Sequence, residues 1–166
     1  MLHGLTGTAE MIRPLAESLC PPGWNIVLPE GPLEHPERGR GWWIRDAPPE
    51  TPLDQSSFSQ IDHSLASIEP LLPEGPLIVG GFSQGSALAQ ELLGTKFADQ
   101  ILGVIVIGGK SARPVELRLT LSNLAPKRMI SMHGDSDHIV PMWQADQTVE
   151  IFREANWDIT ILRHHK

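Results

Sequence analysis

At 166 residues the chain is the size of one domain, and it is long enough to bury a core without disulfide or metal staples. A net charge of −7 with no dense Lys/Arg run argues against nucleic acid and anionic membrane surfaces as partners. Cys20 is the only cysteine, which rules out an intrachain disulfide and fits a reducing, cytoplasmic setting. No apolar run approaches a membrane span, and no basic region followed by an apolar stretch opens the chain, so neither a membrane span nor a signal peptide is expected.

In chain order, Met11, Leu15 and Leu19 have helical spacing around Pro14, which is expected to start or kink that helix. Ile26-Val27-Leu28 is the first of five short apolar runs. The others are Leu77-Ile78-Val79, Ile101 to Ile107, Met129 to Met132 and Ile159 to Leu162. Continuous runs of this length suit strands buried on both faces. Pro29 to Pro52 is irregular and proline-rich, with Trp42 and Trp43 adjacent. Ile61, Leu65, Ile68 and Leu72 predict a helix over Phe58 to Leu72, and Leu88 and Leu92 predict another in the segment SALAQELL. Lys110 to Pro126 is mixed, with a short helix expected near Val115 to Leu121. Met142, Ala145, Val149 and Phe152 mark one face of a helix from Pro141 to Ala155, with Pro141 suited to the first turn. Strand–helix alternation predicts an α/β fold, a mostly parallel sheet with helices on both faces, as a single domain over residues 1–166.

Three motifs carry chemistry. Gly81-Phe82-Ser83-Gln84-Gly85 directly follows a strand run and directly precedes a helix. That is the setting of a nucleophile elbow, in which a tight turn holds a serine hydroxyl above the sheet and glycines relieve crowding. The bland alternative is a glycine-rich strand-to-helix turn with a capping serine. Leu2-His3-Gly4-Leu5 opens the chain, and a His-Gly turn after an early strand can supply one oxyanion-hole N–H, here Leu5, beside that of Gln84. His3 reads as scaffold, a buried histidine bonded to backbone. The third motif, His133-Gly134-Asp135-Ser136-Asp137-His138-Ile139-Val140-Pro141, follows a late strand, where a carboxylate can orient a histidine. Asp137 is the better candidate, with Asp135 tying down the turn; either aspartate also fits an Asx-turn. Trp42, Trp43, Met142 and Trp143 are candidates for an apolar substrate pocket, with core packing or loop anchoring the alternative. The histidines have no His-Glu-x-x-His spacing and there is no cysteine pair, so no metal and no cofactor are expected.

Taken in this order, the three motifs and the Pro29 loop leading to Trp42-Trp43 resemble the phospholipase/carboxylesterase family of α/β-hydrolases, which includes the acyl-protein thioesterases. The resemblance covers nearly the whole chain. It implies hydrolysis of carboxylic esters or thioesters through an acyl-serine, with Ser83 as nucleophile, Asp137 as acid, and Leu5 and Gln84 as oxyanion donors. The expected partner is a small ester or thioester; the oligomeric state is not readable.

Two departures from the family pattern stand out. The chain opens at Met1-Leu2-His3 and stops at Arg163-His164-His165-Lys166. On the resemblance it is therefore expected to lack the usual first strands and the C-terminal loop and helix, including the loop that carries the catalytic histidine. His164 or His165 would have to substitute. The alternative to an esterase is a non-catalytic α/β-hydrolase paralogue that binds a ligand or partner.

Overall fold

The structure, a computed structural model, describes residues 1–48 and 50–165. Four parallel strands form the main sheet: β3 (Leu77–Phe82), β4 (Ile101–Ile107), β5 (Arg128–Gly134) and β6 (Asp158–His164), in that spatial order. Two short strands, β1 (Leu33–Glu34) and β2 (Arg40–Gly41), pair antiparallel within the proline-rich stretch. Each crossover in the main sheet carries a helix: α3 (Gln84–Glu91), α4 (Pro114–Ser122) and α5 (Met142–Glu154). Because each strand lies beside the one before it, right-handed crossovers put these three helices on one face. This is the α/β fold that strand–helix alternation predicts.

Helix starts follow local chemistry. Thr8 caps α1 (Ala9–Leu19) by accepting the Met11 N–H, and Asp54 caps α2 (Gln55–Ile68) by accepting the Ser57 N–H at 2.8 Å. The α2 face is as spaced, with Ile61, Leu65 and Ile68 buried; Pro70 then turns the chain into a 3₁₀ turn, so the helix ends before Leu72. Alpha-1 continues past Pro14, and its buried positions are Ile12 and Ala16 rather than Met11, Leu15 and Leu19. The amphipathic face is thus one residue out of the expected phase, and Met11 is exposed.

Two strand expectations need correction. Ile26-Val27-Leu28 forms no strand; its only described backbone bond to a neighbouring segment is the Met1 amine to the Val27 carbonyl, 2.9 Å. Burial on both faces fits β4, where only Leu102 is exposed, but not β5 or β6. Along β5, Met129, Ser131 and His133 are buried while the alternate residues are not, and β6 is largely exposed. Apolar content alone cannot distinguish a strand covered on one face from a strand covered on two.

The core gathers Ile61 and Ile68 of α2, Leu88 of α3, Ile101 and Met129 of the sheet, Leu121 of α4 and Phe152 of α5, all essentially solvent-free. One partly buried ion cluster ties the helices together. Arg113, just before α4, bonds Glu91 at the end of α3 (Nε–Oε2 2.8 Å) and Asp62 of α2 (2.9 Å). Burial pushes the Glu91 carboxyl up, opposed by the adjacent guanidinium.

Candidate active site

Ser83 sits between the last residue of β3 and the first of α3, with φ 50° and ψ −119°. A non-glycine residue in that region is strained, and strain of this kind persists only where surroundings fix it. The Ser83 N–H is held by the Ile107 carbonyl at 2.8 Å. Its hydroxyl makes no capping bond to α3, so its donor is not spent on the helix. The flanking glycines are required by crowding. A Cβ on Gly81 would press on the Gly85 backbone, and one on Gly85 would meet the carbonyls of Leu2 and His3.

The segment Leu2-His3-Gly4 lies against this elbow. Leu2 adds one parallel rung to β3, its N–H on the Gly80 carbonyl and its carbonyl on the Phe82 N–H. Gly4 to Gly7 is a tight turn closed by Gly7 N–H to Gly4 carbonyl, 3.0 Å. Thr6 takes φ 63° there, an uncommon choice for a β-branched residue. A Cβ on Gly4 would lie 3.5 Å from Ser83 Cβ, so the turn passes directly beside the serine. Among the described residues neither the Leu5 N–H nor the Gln84 N–H donates a hydrogen bond. Gln84 opens α3, where the first N–H groups are left without intrahelical partners.

His3 anchors the turn from below. Its Nε2 accepts the Gly31 N–H (2.9 Å), which leaves Nδ1 as the protonated nitrogen donating to the Gly4 carbonyl (2.7 Å). Burial lowers its pKa. The Trp42 ring stacks on it at 4.9 Å, and Trp42 Nε1 donates to the His3 carbonyl.

The Trp42-Trp43 stretch is clamped from two helices. From α3, the Gln84 side chain accepts the Trp42 N–H (2.8 Å) and donates to the Trp43 carbonyl (2.7 Å). From α2, Ser64 donates to the Trp42 carbonyl, and Gln60 bonds both backbone groups of Ile44. Trp42 is fully buried and Trp43 nearly so. The Trp42 ring packs on His3 and the core, as the core-packing alternative to a pocket lining expects. Trp143 is 55% exposed at the start of α5, with Met142 half-buried beside it.

At the end of β5 the two aspartates have different surroundings. Asp137 is half-buried; its Oδ1 accepts the N–H groups of Ile139 and Val140, both 2.9 Å, and its Oδ2 lies 3.8 Å from His133 Nε2. His133 is buried and bonded to the Val140 carbonyl at 2.7 Å, so it braces the Asp137 loop. Asp135 is exposed and pairs with His165, Oδ2 to Nδ1 2.6 Å. The Phe82 ring bridges the two halves: it lies 3.1 Å from where a Cβ on Gly4 or on Gly108 would sit, and the Gly108 position is 3.8 Å from Asp137 Oδ2. Sequence reading overlooked Phe82 and Ile139, both exposed. Their signal was parity and position: large apolar side chains directly beside the two chemical motifs. The Gln84 side-chain clamp had no sequence signal, because its partners lie in a segment without periodicity.

Beyond the chain itself, no curated protein sequence matches it. Solved structures resemble it in fold at low identity. The carboxylesterase of Bacillus cereus is 18% identical, with 99% of this chain and 77% of that one covered at a TM-score of 0.73. Acyl-protein thioesterase 2 of Zea mays is 20% identical, with 99% and 84% covered at 0.74. Esterase PE8 is 17% identical, with 98% and 79% covered at 0.74. The phospholipase/carboxylesterase family model matches residues 1–165, and by that match this chain belongs to the phospholipase/carboxylesterase family of α/β-hydrolases.

Proposed function

We propose that this member of an ester-hydrolysing family is a serine hydrolase that cleaves carboxylic esters or thioesters through an acyl-Ser83 intermediate. The observation that carries this is the strained Ser83 elbow with two unspent N–H groups, those of Leu5 and Gln84, beside it. In this mechanism Ser83 Oγ attacks the carbonyl carbon and its proton passes to an imidazole. The carbonyl oxygen takes up negative charge and accepts hydrogen bonds from the two N–H groups. The tetrahedral intermediate collapses, the alcohol or thiol leaves with the proton, and water then releases the acid by the same steps. Asp137 is the carboxylate for that imidazole. The exposed apolar side chains of Leu5, Phe82, Ile139 and Trp143 suit an acyl chain.

One observation favours a second reading. His165, just beyond β6, bonds Asp135 and not Asp137. A chain in this arrangement keeps a ligand-binding cleft and a slow nucleophile rather than an efficient triad. A fluorophosphonate probe separates the two. On the first reading Ser83 alone is labelled and Ser83→Ala abolishes labelling; turnover of nitrophenyl esters at about 10 per second requires His164 or His165 as the base. Label on Ser86 or Ser136 in a peptide map overturns the Ser83 assignment. Slow or absent labelling of a folded chain that still binds the product acid supports the second reading.

A further inference from the structure

The residue after a nucleophilic serine gives only its backbone N–H to an oxyanion hole, which leaves its side chain without a prescribed task. Here that side chain is buried and both of its polar ends are engaged. Gln84 Oε1 accepts the Trp42 N–H at 2.8 Å, and Nε2 donates to the Trp43 carbonyl at 2.7 Å. We infer, on the acyl-Ser83 reading, that the Gln84 side chain is a positioning residue for ester hydrolysis. It holds the Leu5 N–H in register with the N–H of Gln84 itself, so that one residue supplies one oxyanion donor and aligns the other.

The path from Gln84 to Leu5 is short and polar. Trp42, whose N–H the Gln84 amide holds, donates from Nε1 to the His3 carbonyl at 2.8 Å and stacks on the His3 ring at 4.9 Å. His3 Nδ1 bonds the carbonyl of Gly4, the residue before Leu5. Packing closes the same circuit. A Cβ on Gly41 would lie 2.8 Å from Leu5 Cδ1 and 3.4 Å from Gln84 Oε1, so the Gly41 backbone is a spacer in contact with both donor residues. The side chain has to be an amide of this length. An amide donates and accepts at once, whereas a glutamate only accepts and a methionine offers no donor. A donor displaced by an ångström loses much of its hold on the transition state, while binding of the ground-state ester is untouched. The clamp therefore acts on rate and not on affinity.

The test follows acylation of Ser83 by nitrophenyl acetate in a single turnover, read by intact-protein mass, together with the ester concentration at half-maximal rate. Gln84→Met keeps the N–H at position 84 and removes both clamp bonds. Its acylation rate constant is expected to fall by about 10- to 100-fold at an unchanged half-saturating concentration. Gln60→Met is the matched control, since it removes a similar amide clamp from α2 onto the Ile44 backbone of the same loop, and it is expected to acylate at the unaltered rate. Trp42→Phe keeps an aromatic ring and loses the bond to His3. It too is expected to be slow, and the double variant with Gln84→Met no slower than the slower single one, because both cut one path. Acylation of Gln84→Met at the parent rate overturns the positioning role. Equal slowing in Gln60→Met also overturns it, by making the clamp a general brace of the loop, as do multiplied losses in the double variant. Should Gln84→Met fail to fold, Trp42→Phe decides, and an unaltered rate there is the overturning result. A parent chain in which Ser83 is never acylated removes the acyl-Ser83 reading and the positioning role with it, a failure told apart from the others because it needs no variant.

Discussion

At the residue scale, the chemistry concentrates in a few side chains whose neighbours decide their roles. Asp137 has backbone donors on one oxygen, while its other oxygen faces the Gly108 turn beside Phe82. Asp135 is exposed and spent on His165. On the serine-hydrolase reading, Asp137→Asn lowers ester turnover up to about 10⁴-fold and Asp135→Asn by much less, because only the acid that holds the catalytic imidazole stabilises its cation. Steady-state rates of the two variants check this, and a greater loss at Asp135 would make the Asp135–His165 pair the working one. His3 gives a pH prediction. The folded state resists its protonation, because Nε2 is occupied as an acceptor and the ring is buried. As pH falls below the ordinary histidine range the unfolded chain takes the proton first, so this contribution is intact at about pH 7 and lost toward about pH 5. The urea midpoint is expected to drop over that interval, and to drop less in His3→Gln.

At the element scale, legibility followed locality. The α2 face and the start of α5 at Pro141 were readable because spacing and caps act within a few residues. The phase of α1 was not, because Met11 and Ile12 are equally apolar and only the tertiary surroundings choose between them. The Ile26 run misled for a related reason: β-propensity makes a strand only where a neighbouring strand offers a ladder. The serine motif was legible because strand, turn and helix are contiguous in sequence. Its brace from Gln84 to the Trp42-Trp43 backbone crosses between distant segments and had to be seen. This distinction predicts different results for two tryptophans. Trp143→Ala is expected to flatten the preference for longer acyl chains, worth about 0.8 kcal/mol per buried methylene, while stability changes little. Trp42→Ala is expected to lower stability by roughly 3–5 kcal/mol instead. Nitrophenyl esters of increasing length, read beside denaturation midpoints, check both. The Arg113 cluster belongs to this scale as well, since it joins α2, α3 and the approach to α4. Glu91 has only 8% of its side chain exposed, so Arg113→Met strands a buried carboxylate. A loss of about 3–5 kcal/mol is expected, with most of it recovered in the double variant that adds Glu91→Leu. Chemical denaturation of the single and the double variant is the measurement.

At the scale of the whole molecule, the sheet has one well-covered side and one bare flank. Alpha-3, α4 and α5 share a face, and β6 at the far edge leaves Ile161 and Leu162 about two-fifths exposed. An apolar edge strand invites pairing with another copy. Ile161→Lys is expected to raise the concentration at which light scattering first increases, with the denaturation midpoint nearly unchanged. An unfolding free energy that falls by several kcal/mol would place Ile161 in the core.

The attachment of the Leu2-His3-Gly4 segment carries a consequence for the order of assembly. Strands β3 to β6 join through short sequential crossovers, so their contacts are cheap in loop entropy. Among the described residues, the Leu2-His3-Gly4 turn is tied to the elbow through partners distant in sequence: Leu2 on Gly80, His3 on Gly31 and Trp42, and Trp42 on Gln84. Contacts of that kind form late and open early. Ser83 can thus stand in a finished sheet while the two N–H groups beside it are not yet aligned. On the serine-hydrolase reading, heat or mild denaturant silences the chemistry before the fold itself gives way, and on refolding the strands recover ahead of the site.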